Sequence, residues 1–213
     1  MKKLLLLVAA TMLFGSVSAQ DLQKNIFGVR AGANLSTLNT VLELNHKISF
    51  NAGVSYECLL TNKAPLYLES GLYFSDKGYK NTYVWEDYNE IETLKASLNY
   101  LQIPLMLNYK FNISKSFAIY PSVGFYYAFA VAGTEEYTYE YDGDSDSEFY
   151  KIFEDGGGDY EYKRSDFGYR LSLSFALKRV VLGVGYEGGL LPIIKDAVKA
   201  KNSNLYVSLG VNF

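Results

Sequence analysis

The sequence predicts an eight-stranded antiparallel up-and-down transmembrane β-barrel with short periplasmic turns and long outer loops. Three observations lead there. Eight segments alternate bulky apolar residues with small or polar ones at the two-residue period of a strand. In the middle of those segments no charge falls on the bulky row, and one Arg or Lys at a bilayer midplane costs about 2–4 kcal/mol. The connections between the segments alternate short and long.

The chain opens with Lys2 and Lys3, then the apolar run Leu4 to Phe14, then the small-residue site Val17-Ser18-Ala19. Residues 1–19 read as a signal peptide and 20–213 as one barrel domain, exported to the cell outer membrane of a Gram-negative envelope. The single cysteine, Cys58, lies far from the cleavage site, so a lipid-modified cysteine there is excluded. No later apolar run approaches the ~18–20 residues of a membrane helix. The formal charge of −3 becomes −5 without Lys2 and Lys3, which argues against nucleic acid.

The segments follow in order, each with its outward row. Phe27 to Leu35 shows Phe27, Val29, Ala31, Ala33 and Leu35. Ile48 to Leu60 shows Ile48, Phe50, Ala52, Val54, Tyr56 and Cys58. Leu66 to Phe74 shows Leu66, Leu68, Leu72 and Phe74. Ser97 to Phe111 shows Leu101, Ile103, Leu105, Leu107, Tyr109 and Phe111. The clearest, Phe117 to Val131, shows Phe117, Ile119, Pro121, Val123, Phe125, Tyr127, Phe129 and Val131. Phe167 to Lys178, Val180 to Gly188 and Leu205 to Phe213 complete the set. The short connections are Thr61 to Pro65, Asn112 to Ser116 and Lys178-Arg179. The long ones are Ser36 to Lys47, Tyr79 to Ala96, Gly133 to Asp166 and Gly189 to Asn204. Ten strands remain an alternative if part of the third long loop, or Val84 to Leu94, also crosses. Trp85, Glu86, Asp87 and Glu90 would then put charge in lipid. Pro104 falls mid-strand, where a missing N–H predicts a local bulge.

Eight strands leave an interior that side chains fill. The predicted lumen charges are Arg30, Glu57, Glu69, Arg170 and Glu187. Hairpin register sets Arg170 near Glu187, Arg30 near Glu57, and Glu57 near Glu69. Such a network holds the barrel shut, because an unpaired buried charge is costly; a gated proton or ion path is the functional alternative.

The loop 133–166 is acidic and tyrosine-rich. Its flanks read as the fifth and sixth strands continuing above the membrane, with Asp142 to Gly158 as the tip. Asp142, Asp144, Asp146 and Glu148 offer a weak Ca²⁺ site, since Ser147 and Phe153 stand where an EF-hand needs Gly and Glu. A solvated contact surface is the plainer reading. His46, the only histidine, with Ser49 nearby, is the sole basis for a hydrolase or acyltransferase at the outer rim.

The runs Phe27-Gly28-Val29-Arg30-Ala31-Gly32-Ala33-Asn34-Leu35-Ser36 and Leu98-Asn99-Tyr100-Leu101-Gln102-Ile103-Pro104-Leu105, with terminal Phe213, resemble the PorT-type family of small outer-membrane β-barrel proteins (outer membrane protein beta-barrel domain). The resemblance implies the same fold and location. Some members are linked to protein secretion across the outer membrane, and Phe213 resembles the aromatic signal read by the barrel-assembly machinery. The expectation is a non-enzymatic barrel without catalytic residues or cofactor. Its partners are outer-membrane lipid, the assembly machinery, and a protein met at loop 133–166 or at the periplasmic rim.

Overall fold

The structure is a computed structural model and describes residues 23–40, 44–85, 90–141, 144–154, 161–195 and 200–213. The expected signal peptide, residues 1–19, lies outside them. Among the described residues ten strands form: β1 (Asn25–Asn39), β2 (Lys47–Leu59), β3 (Leu66–Trp85), β4 (Glu90–Tyr109), β5 (Phe111–Asn112), β6 (Phe117–Tyr141), β7 (Asp144–Lys151), β8 (Ser165–Leu177), β9 (Val180–Gly189) and β10 (Lys201–Asn212). Eight of them close an antiparallel ring in the order β1-β2-β3-β4-β6-β8-β9-β10. The seam is β1 against β10, with Val29 opposite Val211. The Phe213 N–H extends it by donating to the Phe27 carbonyl at 2.7 Å.

The other two strands add no crossing. β5 is a short hairpin partner of β6 at a periplasmic turn, so the fourth crossing ends at Tyr109 and not at Phe111. β7 folds back on the upper half of β6. Val84 to Leu94 does not cross either: β3 and β4 run on in register to Trp85 opposite Glu90. The upper parts of β3, β4, β6 and β7 thus form a four-stranded extension above the ring. Its crossing at Gly78 has φ of 150°, and a Cβ there would meet the Ala96 carbonyl oxygen at 1.9 Å, so only glycine fits.

In lipid every backbone group needs an internal partner, and a closed ring provides one. The outward rows are exposed from the protein and apolar: Phe27, Val54, Leu72, Ile103, Val123, Leu173, Leu182 and Leu209 are typical. Aromatic pairs mark both rims. Phe27 with Tyr56 and Tyr109 with Phe111 sit at the periplasmic end. Phe50 with Phe74, Phe125 with Phe167 and Tyr169 with Tyr186 sit toward the outer end.

The bulge expected at Pro104 is elsewhere. The β3–β4 ladder lapses opposite Ile103 and Pro104 yet resumes in the same register, with Ser70 opposite Leu105 and Tyr73 opposite Gln102. Ser70 Oγ donates to the Pro104 carbonyl at 2.8 Å, so the ladder tolerates the missing N–H without inserting a residue. The register shift falls on β6: Asn99 faces Ala132 while Tyr100 faces Ala130, which leaves Val131 as the extra residue. Below it Tyr126, Ala128 and Ala130 point inward; above it Gly133, Glu135 and Tyr137 do.

Candidate functional site

Period-two alternation turns one row of every strand into the lumen, and short hairpins fix which charges meet there. At the periplasmic end Glu57 lies directly opposite Glu69. Two like charges so placed need compensation. Lys110 Nζ sits 2.7 Å from Glu57, over the rings of Tyr67 and Tyr120 at 4.2 and 4.8 Å. Asn108 Nδ2 donates to Glu69 at 2.6 Å. Arg30 is not the partner of Glu57: the register sets it opposite Gly53, and Ile26 opposite Glu57. Its guanidinium donates to Asn212 Oδ1 at 2.6 Å and to the Val211 carbonyl.

In the middle of the barrel Arg170 lies across from Glu187. Their closest atoms are 3.4 Å apart, and Arg170 Nε donates to the Tyr206 hydroxyl at 2.8 Å. Glu187 also accepts from Gln102 at 2.6 Å and Asn204 at 3.1 Å, and lies 2.8 Å from Lys77 Nζ. Lys77 is fully buried, with the rings of Tyr126 and Tyr100 at 4.3 and 5.7 Å. A cavity of about 30 Å³ lies among Arg30, Glu69, Tyr73 and Arg170, room for about one or two waters. A larger opening of about 280 Å³ forms the periplasmic mouth, bordered by Lys110, Lys115, Lys178 and Arg179.

Toward the outer end the lumen changes character. Tyr126 OH and Asn202 Nδ2 donate to Asp166 at 3.0 and 2.8 Å. Above them Leu38, Leu94, Ala96, Leu98, Tyr137, Ile152, Ile193 and Ile194 pack into an apolar core. Tyr162 is enclosed in that core; its hydroxyl donates to Glu135 at 2.7 Å and lies 2.8 Å from the Tyr79 hydroxyl. Burial, the Tyr79 hydroxyl and the Glu135 carboxylate raise the Tyr162 phenol far above its ordinary pKa.

Register aligns the face of the extension that continues this core into rows: Trp85, Glu90, Tyr141 and Asp144 at the tip, then Tyr83, Glu92, Tyr139 and Asp146, then Asn81, Leu94, Tyr137 and Glu148. Aromatic-rich strands β3 and β6 thus alternate with acidic strands β4 and β7.

Residues 18–195 match the family model described as "Outer membrane protein beta-barrel domain". The chain belongs to this family. Its members are barrels of the outer membrane, so the cell outer membrane is where this protein resides. Comparison with curated proteins gives no significant match. Among solved structures, the attachment invasion locus protein Ail of Yersinia pestis is 13% identical with a TM-score of 0.45, covering 90% of this chain and 100% of its own. Neisserial surface protein A is 14% identical with a TM-score of 0.45, covering 88% and 97%. An outer-membrane channel of Pseudomonas putida F1 is 12% identical with a TM-score of 0.32, covering 93% and 100%.

In this outer-membrane barrel the loop 133–166 is not two flanks around a long tip. Its ascending flank is β6, but its descending flank is β7, which returns at once; Asp142 and Tyr160 lie outside the described residues. Asp144, Asp146 and Glu148 sit on an extended strand. Same-face neighbours there are about 7 Å apart, too far for one Ca²⁺ to take three of them at about 2.3–2.6 Å. Asp146 instead accepts from the Ser147 N–H at 2.9 Å and Glu148 from the Tyr150 hydroxyl at 2.7 Å. Among the described residues no three His, Cys, Asp or Glu side chains converge as a metal site. His46 is exposed, while the Ser49 hydroxyl donates to the Asp76 carbonyl at 2.6 Å. Cys58 is a half-buried free thiol.

Sequence reasoning left out Lys77, Lys110, Asp166 and Glu135. The first two were readable by carrying parity onward: Tyr73, Ser75, Lys77 and Met106, Asn108, Lys110. Asp166 stands one residue before the apolar alternation of β8 begins, where the sequence alone reads as a loop end. Glu135 was hidden by the extra residue Val131, which reverses the rows above it.

Proposed function

We propose that this barrel is a non-enzymatic interaction protein that meets its partner through the outer extension. The observation that carries this reading is the set of aromatic side chains on one face at the tip, clear of the lipid band: Trp85, Tyr83, Tyr139 and Tyr141 (63% exposed). Exposed aromatics on a built sheet are the anchors that protein interfaces use. The lumen network serves stability: its charges meet carboxylates, amides or rings, and the cavity beside Arg30 and Arg170 has room for only about one or two waters. Export through residues 1–19 and recognition of Phe213 during assembly belong to the same proposal.

The PorT-type resemblance supports a second reading, a component of a protein secretion or assembly apparatus. The basic periplasmic mouth favours it, because Lys115, Lys178 and Arg179 would face a partner on that side. The hydrolase reading is weaker, with Ser49 already bound. A photoreactive residue at position 141 and another at 115, used in intact cells, separate these roles. Capture of a protein at 141 alone is expected. Capture at 115 alone would move the role to the periplasmic rim. Steady current through planar bilayers would overturn the structural account of the lumen.

A further inference from the structure

β7 is exposed along all eight residues and, among the described residues, pairs only with β6. Backbone groups alternate in direction along a strand, so one set faces β6 and the other faces away. Ile152, which continues the even positions, donates its N–H to the Gly133 carbonyl at 3.0 Å. The even positions therefore face β6, and Ser145, Ser147 and Phe149 turn their N–H and C=O groups to the open side. The Ser147 N–H agrees: its acceptor is the neighbouring Asp146 Oδ1 at 2.9 Å, not a strand carbonyl. Open edges are templates for another strand, and natural sheets guard them with Pro, bulges or charged side chains, Lys above all. β7 has no Pro, and its only Lys is the terminal Lys151.

Charge decides what the edge accepts. One row of β7 is Asp144, Asp146 and Glu148; the other is Ser145, Ser147 and Phe149. Beyond the acidic row lie Tyr139 and Tyr141, then Glu90 and Glu92. A second copy joined β7 to β7 would set acid row against acid row on one face, and like charges across strands repel. A strand with Lys or Arg at alternate positions meets carboxylates and aromatic faces instead. We propose that β7 takes up an extended polypeptide segment by strand addition, one that carries a cationic side chain at every second position. This rests on the extension being the interaction surface and names the class of partner. Backbone bonds along the edge supply affinity, and the alternate charges supply register.

The test uses the full chain in nanodiscs and three ten-residue peptides: alternating Lys-Thr, the same residues in two blocks, and alternating Glu-Thr. The alternating Lys-Thr peptide is expected to bind and to slow amide exchange over residues 144–151. The block peptide is expected to bind at least ten-fold more weakly, and the Glu-Thr peptide not at all. Ser147→Pro removes the backbone donor of the open side, and Ser147→Ala, which loses only the hydroxyl contact with Thr138, is its control and should bind as the native chain does. Ser147→Pro should weaken binding at least ten-fold while the barrel stays heat-modifiable on gels. Asp144→Asn, Asp146→Asn and Glu148→Gln together should do the same. Equal binding of the two lysine peptides, or binding untouched by Ser147→Pro, overturns strand addition. If no lysine peptide binds while a photoreactive residue at 141 still captures a protein, this inference falls and the proposed function stands. If position 141 captures nothing either, both fall.

Discussion

β3, β4 and β6 each pass through two regions, and the two are built inside out from one another. Within the ring their outward rows are Leu68, Leu72 and Phe74, then Leu101, Ile103 and Leu105, then Val123, Phe125 and Phe129, while Glu69, Gln102 and Asn108 point inward. Above the ring the outward rows are Lys80 and Thr82, Thr93 and Lys95, Glu136 and Thr138, while Tyr79, Leu94, Ala96 and Tyr137 are buried. Lys95 and Glu136 form an outward pair at 3.1 Å. Below, the solvent is hydrocarbon and the interior must neutralise its charges. Above, the solvent is water and the interior is an ordinary apolar core. A strand thus has no fixed inner chemistry, and the medium outside decides which row is apolar.

The inversion breaks most severely at the centre of the lumen. Glu187→Ala leaves Lys77 and Arg170 without their shared carboxylate, and loss of one buried partner costs about 3–5 kcal/mol. Urea unfolding in detergent micelles should show that loss. Next comes a paired insertion: Val123→Arg on the lipid face should cost about 2–4 kcal/mol. Thr138→Arg on the outward row of the extension should stay within about 0.5 kcal/mol. Equal costs at the two positions would mean that the extension also lies in lipid. A smaller effect is expected for Tyr162→Phe, which removes the buried hydrogen bond from the Tyr162 hydroxyl to Glu135; a hydrogen bond to a charged group contributes about 1.5–3 kcal/mol. The loss should appear as faster protease cleavage within residues 161–164 and 190–195, with the ring intact. The mildest is pH. Because the Tyr162 phenol is raised in the folded state, its contribution is complete below the ordinary tyrosine pKa near 10. It is lost as pH climbs beyond that value. Cleavage in 161–164 and 190–195 should hold steady up to about pH 9.5 and quicken as pH rises beyond about 10, and Tyr162→Phe should flatten that dependence.

What could be read from the residues follows the same division. The ring was legible because lipid tolerates no exception on one row, so Phe117 to Val131 declares a strand by itself. Arg170 with Glu187, and Glu57 with Glu69, were legible because two-residue and five-residue turns leave little freedom of register. Arg30 was less legible: it stands four ladder positions from Glu57, and hairpin register alone does not say which partner within a guanidinium's reach it takes. The extension was less legible: polar outward residues and apolar inward ones look like a loop when a lipid pattern is expected, so β3 seemed to end at Phe74. The acidic tip looked like a ligand loop because spacing alone does not say whether a segment curls or stretches.

Val131 has one more consequence, and it concerns descent. A single extra residue exchanges inside for outside along the next ten residues of β6. One further codon gained or lost beside it would turn Glu135 and Tyr137 to the exterior and bring Glu136 and Thr138 into the core. Length variation among related genes should therefore arrive in steps of two residues within these strands, and in steps of any size only at the hairpin tips.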